Sequence, residues 1–285
     1  MPRFASPTGR YVFVPLDGVE YRVYFEEAGR GIPLVMQHTA GADGRQWRHL
    51  FEDEWMTRHF RLIAHDLPYH GKSLPPADVE WWKQRYGLKQ KFFMDFIVAL
   101  ARELELERPV YMGCSMGGHL AGDLAYHHPE QFRAVIGVEG ALASKGTDTF
   151  LPWLHHPRLS NESKPSLMYS LTAPQSPERY RQETIWIYSQ GAPPVFQGDL
   201  DYYALEHDLT GKAKNIDTKK CAVYLLGGEY DWSASPADVK ALADEIPGSW
   251  FAEMKEVGHF PMCENPEAFK RALRPVLEDI VARQS

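Results

Sequence analysis

Pro109-Val110-Tyr111-Met112-Gly113-Cys114-Ser115-Met116-Gly117-Gly118 is the stretch on which the fold turns. Its first half is an apolar run bounded by proline and glycine, the composition of a strand buried on both faces. Its second half opens a small-residue, apolar segment over 118–127 that stops before Pro129. That segment reads as a helix. A serine between strand and helix, with glycines two before and two after, is the pattern of a tight, strained strand-to-helix turn. The glycines let neighbouring backbones approach closely, and the turn holds the serine hydroxyl clear of both elements. The amide of Met116, in the first turn of the helix, then points where an oxyanion would form.

The rest of the chain repeats this alternation. The segment 10–26 alternates polar with apolar and aromatic residues around Asp17-Gly18 and predicts a β-hairpin. Short aliphatic runs at 34–37, 61–65, 134–138 and 222–226 predict further buried strands, and 250–255 a last one. Helical periodicity appears over 89–106, where Phe92, Phe93, Phe96, Ile97, Leu100 and Leu104 share a face. The segments 236–246 and 266–282 each begin with proline, a favoured first helical residue. Strand, helix, strand in succession implies right-handed crossovers and an α/β layer fold.

From about 140 to 217 no strand pattern occurs. Trp153, His155, His156, Tyr169, Trp186, Tyr188, Tyr202 and Tyr203 lie there among helix-like stretches broken by prolines. The expected organisation is therefore a core of residues 1–139 and 218–285 with a helical cap inserted at 140–217. Adjacent side chains diverge, so His155-His156 reads as cap surface rather than as a metal site.

Composition removes several functional classes. A net charge of −7 without any lysine- or arginine-rich run argues against a nucleic-acid partner. Cys114, Cys221 and Cys263 are odd in number and widely spaced, which fits neither a disulfide framework nor a zinc site. The first ten residues lack the apolar core of a secretion signal, and no stretch approaches eighteen apolar residues. The expectation is a cytoplasmic protein with no membrane partner.

A serine hydroxyl needs a base, and the base needs a carboxylate to fix its tautomer. His259, in Val257-Gly258-His259-Phe260-Pro261 between the last strand and the C-terminal helix, is the candidate base. Asp231 follows the run 222–226 through Gly227-Gly228-Glu229-Tyr230. It stands at the carboxyl end of a strand, where α/β sheets gather their chemistry. Glu139, ending the run 134–138, is the alternative acid. Cys114 precedes Ser115 at a sharp turn, so its side chain points elsewhere and reads as packed.

These motifs, in the chain order Ser, Asp, His, resemble those of the α/β-hydrolase superfamily over most of the chain outside the insertion. Leu34-Val35-Met36-Gln37-His38-Thr39-Ala40-Gly41 is similar to that family's strand and His-Gly loop, and His65-Asp66-Leu67-Pro68-Tyr69-His70-Gly71-Lys72-Ser73 to its Asp-x-x-Gly-His-Gly-x-Ser loop. The resemblance implies an eight-stranded, mostly parallel, doubly wound sheet with a helical cap. It implies Ser115 as nucleophile, His259 as general base and Asp231 as the orienting acid. It also implies Met116 and Ala40 as oxyanion donors, with Thr39, which replaces a usual glycine, as the substitute for Ala40. His38, Trp153, Trp186, Tyr188, Tyr203 and Phe260 are the candidate substrate contacts. Ser115 argues against the dehalogenases and epoxide hydrolases of this fold, which carry aspartate at the turn. No metal or organic cofactor is implied. The expected partner is a small-molecule substrate, and an exposed cap also offers a surface for homo-oligomers. The expected reaction is hydrolysis of a small or medium carboxylic ester. Carbon–carbon hydrolysis of ring-cleavage products, lactones and thioesters are alternatives, and cofactor-free lyase or oxygenase chemistry or ligand binding alone are remoter ones.

Overall fold

The computed structural model describes residues 4–144, 154–155 and 163–283. In chain order its strands are β1 (Thr8–Leu16), β2 (Val19–Gly29), β3 (Ile32–Gln37), β4 (Phe60–His65), β5 (Val110–Cys114), β6 (Ala134–Val138), β7 (Ala222–Gly228) and β8 (Trp250–Met254). They form one sheet in the order β1-β2-β4-β3-β5-β6-β7-β8. β1 pairs antiparallel with β2, and β2 antiparallel with β4; every later pairing is parallel. The hairpin closes at Leu16↔Val19 through Asp17 and Gly18, with φ of 51° and 78°. Two left-handed residues in a two-residue loop match the twist of the strands they join.

The helices are α1 (Glu54–His59), α2 (Gln90–Glu103), α3 (Met116–His127), α4 (Ser163–Ser170), α5 (Glu178–Ser189), α6 (Pro193–Leu205), α7 (Pro236–Glu245), α8 (Pro261–Glu264) and α9 (Pro266–Ala282). The alternation of side chains along each strand divides the core in two. Val35, Ile63, Tyr111, Val135 and Leu225 face one layer, with Phe93, Ile97 and Leu100 of α2, Leu120 and Leu124 of α3, and Leu242 of α7. Leu34, Met36, Leu62, Met112, Ile136 and Leu226 face the other, with Met56 of α1 and Phe269, Leu273 and Leu277 of α9. A sheet covered on both faces is why the central strands read as unbroken apolar runs rather than as alternating ones.

α4, α5 and α6 lie between β6 and β7, in the segment without strand pattern. The chain runs from β3 outward to β4 on one side and returns to β5 on the other. The loops after β3 and β5 therefore part at the carboxyl edge of the sheet. This is the switch point at which open α/β sheets leave a crevice.

Candidate active site

Ser115 joins β5 to α3 with φ 57° and ψ −113°, a conformation that L residues rarely adopt. Its amide donates to Val138 O at 2.8 Å, and its carbonyl accepts from the amide of His119 at 2.9 Å. The glycines are a packing requirement. A Cβ on Gly113 would lie 2.4 Å from Gly117 O, one on Gly117 2.8 Å from Gln37 Cγ, and one on Gly118 2.2 Å from Val138 O. Cys114 points away from the crevice: it is fully buried and its thiol donates to His259 O at 3.3 Å. Burial pushes that thiol well above its ordinary pKa, so it stays neutral and unreactive.

Three loops converge on the Ser115 hydroxyl. His259 Nε2 lies 2.8 Å from Ser115 Oγ, and His259 Nδ1 lies 2.6 Å from Asp231 Oδ2. The other Asp231 oxygen, Oδ1, accepts from the amides of Ser233 at 2.7 Å and Ala234 at 3.2 Å. All three side chains are buried. The turn carrying His259 is clamped from the cap side, since the His259 amide donates to Leu171 O at 3.0 Å. Glu264 of α8 completes the clamp. Its Oε1 accepts from the Phe260 amide at 2.8 Å, and its Oε2 from the Ala173 amide at 2.6 Å and the Ser176 hydroxyl at 2.7 Å. No motif in the sequence marks Glu264. Its role depends on a cap loop about 90 residues earlier in the chain.

Glu139 lies beside this constellation, with φ 54° and no exposure. Its Oε2 accepts from the Gly228 amide at 2.9 Å. No hydrogen bond joins it to His259 among the described residues. Burial, and then the neighbouring charge of Asp231, push its carboxyl well above the usual range. Of the two acids, Asp231 is the one hydrogen-bonded to the imidazole.

Two amides of the loop after β3 are engaged away from the serine. Thr39 N–H donates to Gln46 Oε1 at 3.0 Å, and its hydroxyl pairs with Gln46 Oε1 and with the Tyr188 hydroxyl. Gly41 N–H donates to Asp199 Oδ2 at 2.7 Å. Ala40 lines the cavity above Ser115, and its amide, like that of Met116, meets no acceptor among the described residues. The Thr39 amide, the substitute donor expected from sequence, is occupied by Gln46 and is not free to serve.

The cavity over Ser115 and His259 has a volume of about 420 Å³. Tyr188, Tyr203 and Phe260, three of the residues singled out from sequence, line it. Leu167, Met168 and Leu171 from α4 and its following turn, Phe196 and Leu200 from α6, and Trp232 line it as well. Nothing in the sequence marks them, because apolar residues look the same in a core and in a pocket. Trp186 is not in the lining. On α5 it sits on the opposite side from Thr184, Ile187 and Tyr188 and is 66% exposed. His38 is fully buried behind the loop, donating from Nδ1 to Thr39 O at 2.8 Å and accepting the Leu67 amide at Nε2, 3.1 Å. Burial, and then the charge of His70, lower its pKa to about 4, so it is a neutral brace rather than a titrating group. Trp153 and His156 lie outside the described residues. No cluster of three or more His, Cys, Asp or Glu side chains suited to a metal ion occurs among the described residues. No described helix is long and apolar enough to cross a membrane.

The chain is 24% identical over 271 residues to the 2-hydroxy-6-oxo-6-(2'-aminophenyl)hexa-2,4-dienoic acid hydrolase of Metapseudomonas resinovorans, covering 91% of this chain and 88% of that protein. It is 22% identical to the pimeloyl-[acyl-carrier protein] methyl ester esterase of Aeromonas hydrophila, covering 87% and 96%. Among solved structures, a thermophilic esterase from Thermogutta terrifontis superposes with a TM-score of 0.80 at 20% identity, covering 96% of this chain and 99% of that one. The family model of the alpha/beta hydrolase fold matches residues 32–266, and with the sheet order, the strained serine turn and the Ser, Asp, His order it identifies this chain as a member of the alpha/beta hydrolase family.

Proposed function

We propose that the chain is a serine hydrolase of small to medium carboxylic esters with an uncharged, apolar acyl group. The observation that carries this reading is the hydrogen-bonded series Ser115 Oγ, His259 Nε2, His259 Nδ1, Asp231 Oδ2 at the floor of an apolar cavity. In the proposed mechanism His259 Nε2 takes the proton of Ser115 as Oγ attacks the ester carbonyl carbon. The amides of Met116 and Ala40 hold the oxyanion, and each such donor is worth on the order of a hundredfold to a thousandfold in rate. Asp231 steadies the imidazolium without taking its proton. Collapse of the tetrahedral intermediate expels the alcohol, which receives the proton from His259. Water then gives a proton to His259 as it attacks the acyl-enzyme, and collapse releases the acid while His259 returns that proton to Ser115 Oγ. All of these steps use side chains and amides of this chain.

The choice of acyl group is supported by the lining. The described residues around Ser115 are aliphatic or aromatic apart from Ser115, Ser233 and His259, with no lysine or arginine among them. A volume of about 420 Å³ suits a medium acyl chain or a ring. Carbon–carbon hydrolysis is the second reading. It is favoured by the similarity to the dienoic acid hydrolase, whose substrate by its name carries a carboxylate. Turnover of p-nitrophenyl butyrate to octanoate, set beside loss of dienoate absorbance, separates the two. Ester turnover that rises with acyl length is the expected result. Dienoate loss without ester turnover would transfer the assignment to the second reading.

A further inference from the structure

Asp199 is a fully buried carboxylate on α6 of the cap, and each of its oxygens is engaged. Oδ2 accepts the Gly41 amide at 2.7 Å and His70 Nε2 at 2.8 Å, and Oδ1 accepts the Tyr86 hydroxyl at 2.6 Å. His70 Nδ1 in turn faces Pro68 O at 3.0 Å. A carbonyl and a carboxylate can only accept, so both ring nitrogens carry protons and the ring is an imidazolium. The contact with Gly41 is close as well as charged. Gly41 has φ 65°, and a Cβ there would lie 2.8 Å from Phe196 Cβ, also on α6.

We propose that Asp199 is a positioning residue through which the cap sets the oxyanion pocket. The peptide that carries the Ala40 amide is held from the core, its Thr39 carbonyl accepting from His38 Nδ1 at 2.8 Å and from the Ala42 amide at 3.3 Å. The peptide after it is held from the cap by Gly41 N–H on Asp199. Contacts from the core and from the cap thus hold the peptides on either side of Ala40, whose amide meets no acceptor among the described residues and which lines the cavity over Ser115. Removing the Asp199 carboxylate leaves the Gly41 amide without its acceptor. The contact from the cap to the Gly41 amide thus completes the ordering of the second oxyanion donor that the core contacts on Thr39 begin. This inference rests on the serine-hydrolase reading above.

The test needs no knowledge of the substrate. A fluorophosphonate places its phosphoryl oxygen where the oxyanion forms, so its rate of reaction with Ser115 reads the pocket directly. That rate is measured together with Tm for wild type, Asp199→Ala, Asp199→Asn and Tyr86→Phe. Asp199→Ala is expected to slow labelling about tenfold to a hundredfold, part of the effect of losing a donor outright. Asp199→Asn keeps an oxygen for Gly41 and is expected to recover most of that loss. Tyr86→Phe removes a bond to the same carboxylate but not the Gly41 contact; it is expected to lower Tm while labelling at the wild-type rate. If Asp199→Ala does not fold, slower labelling of Asp199→Asn than of Tyr86→Phe still supports the proposal. Wild-type labelling rates in the folded Asp199 variants, or equal slowing in Tyr86→Phe at equal Tm, would overturn it. A wild type that takes no label at Ser115 would overturn the serine reading and this inference with it.

Discussion

Replacing Ser115 with alanine removes one hydroxyl whose hydrogen-bond partner is His259 Nε2 and leaves the turn and its glycines in place. Turnover is expected to vanish while Tm stays nearly constant, a pairing that calorimetry and an ester assay read together. The two acids are separated by charge. Asp231→Asn leaves His259 free to take the wrong tautomer, and the rate is expected to fall about 10⁴-fold. Glu139→Gln replaces a neutral acid with a neutral amide that still accepts from Gly228 N–H, so kcat and Tm should change little. If Glu139→Gln is the more damaging of the two, the acid role moves to Glu139. At this scale the sequence was legible because the motif residues sit at strand ends with fixed neighbours. It was not legible for Glu264 or Asp199, whose partners lie far away in the chain.

α3 shows how an element can be correct for its sequence and yet intolerant at one position. Alanine is the better helix former by about 1 kcal/mol, so a glycine in a helix needs a reason. At Gly118 the reason is the Val138 carbonyl, 2.2 Å from where a Cβ would stand. At Gly122 the nearest atom is the flexible tip of Leu209, 2.7 Å away. Gly118→Ala is expected to cost about 2 kcal/mol or more, the range of an overpacked core, and Gly122→Ala to be near neutral. Denaturant titration of both variants checks the ranking, and equal costs would remove this account of the turn. Strand runs and helix periods were readable here because they are local: 134–138 and 222–226 fall within β6 and β7. α3 begins two residues earlier than 118, at Met116, since the strained serine lets the helix start at once. The three cap helices carry weak amphipathic patterns because their apolar faces are split between core, cavity and one another.

Across the molecule, two buried imidazoles make the fold sensitive to alkali. His70 faces Asp199 and Pro68 O, and His207 faces Asp123 and Ala141 O. Burial alone would lower both pKa values, but the carboxylates and hydrogen bonds raise them above the ordinary value of a histidine. Glu139 shifts upward as well. Each of these groups holds its proton more tightly in the fold than in the unfolded chain. Their stabilisation is thus full below about pH 6.5 for the histidines, and it fades as pH rises through the raised values. The contribution of these two pairs to Tm is expected to fall as pH rises above about 6.5, so His207→Gln should shift the slope of Tm against pH upward; a slope unchanged by that substitution would contradict the paired-imidazolium account. The sequence by itself determined the layer architecture, the serine turn and the order of its partners. Periodicity, glycine spacing and strand-end position are properties of neighbouring residues. Only the tertiary structure decided which acid meets His259, which amide of the Thr39-Ala40-Gly41 loop is left free, and which cap side chains face Ser115. Each of those depends on distances between segments that the sheet order and the cap bring together, and on burial, which sets the charge each group carries.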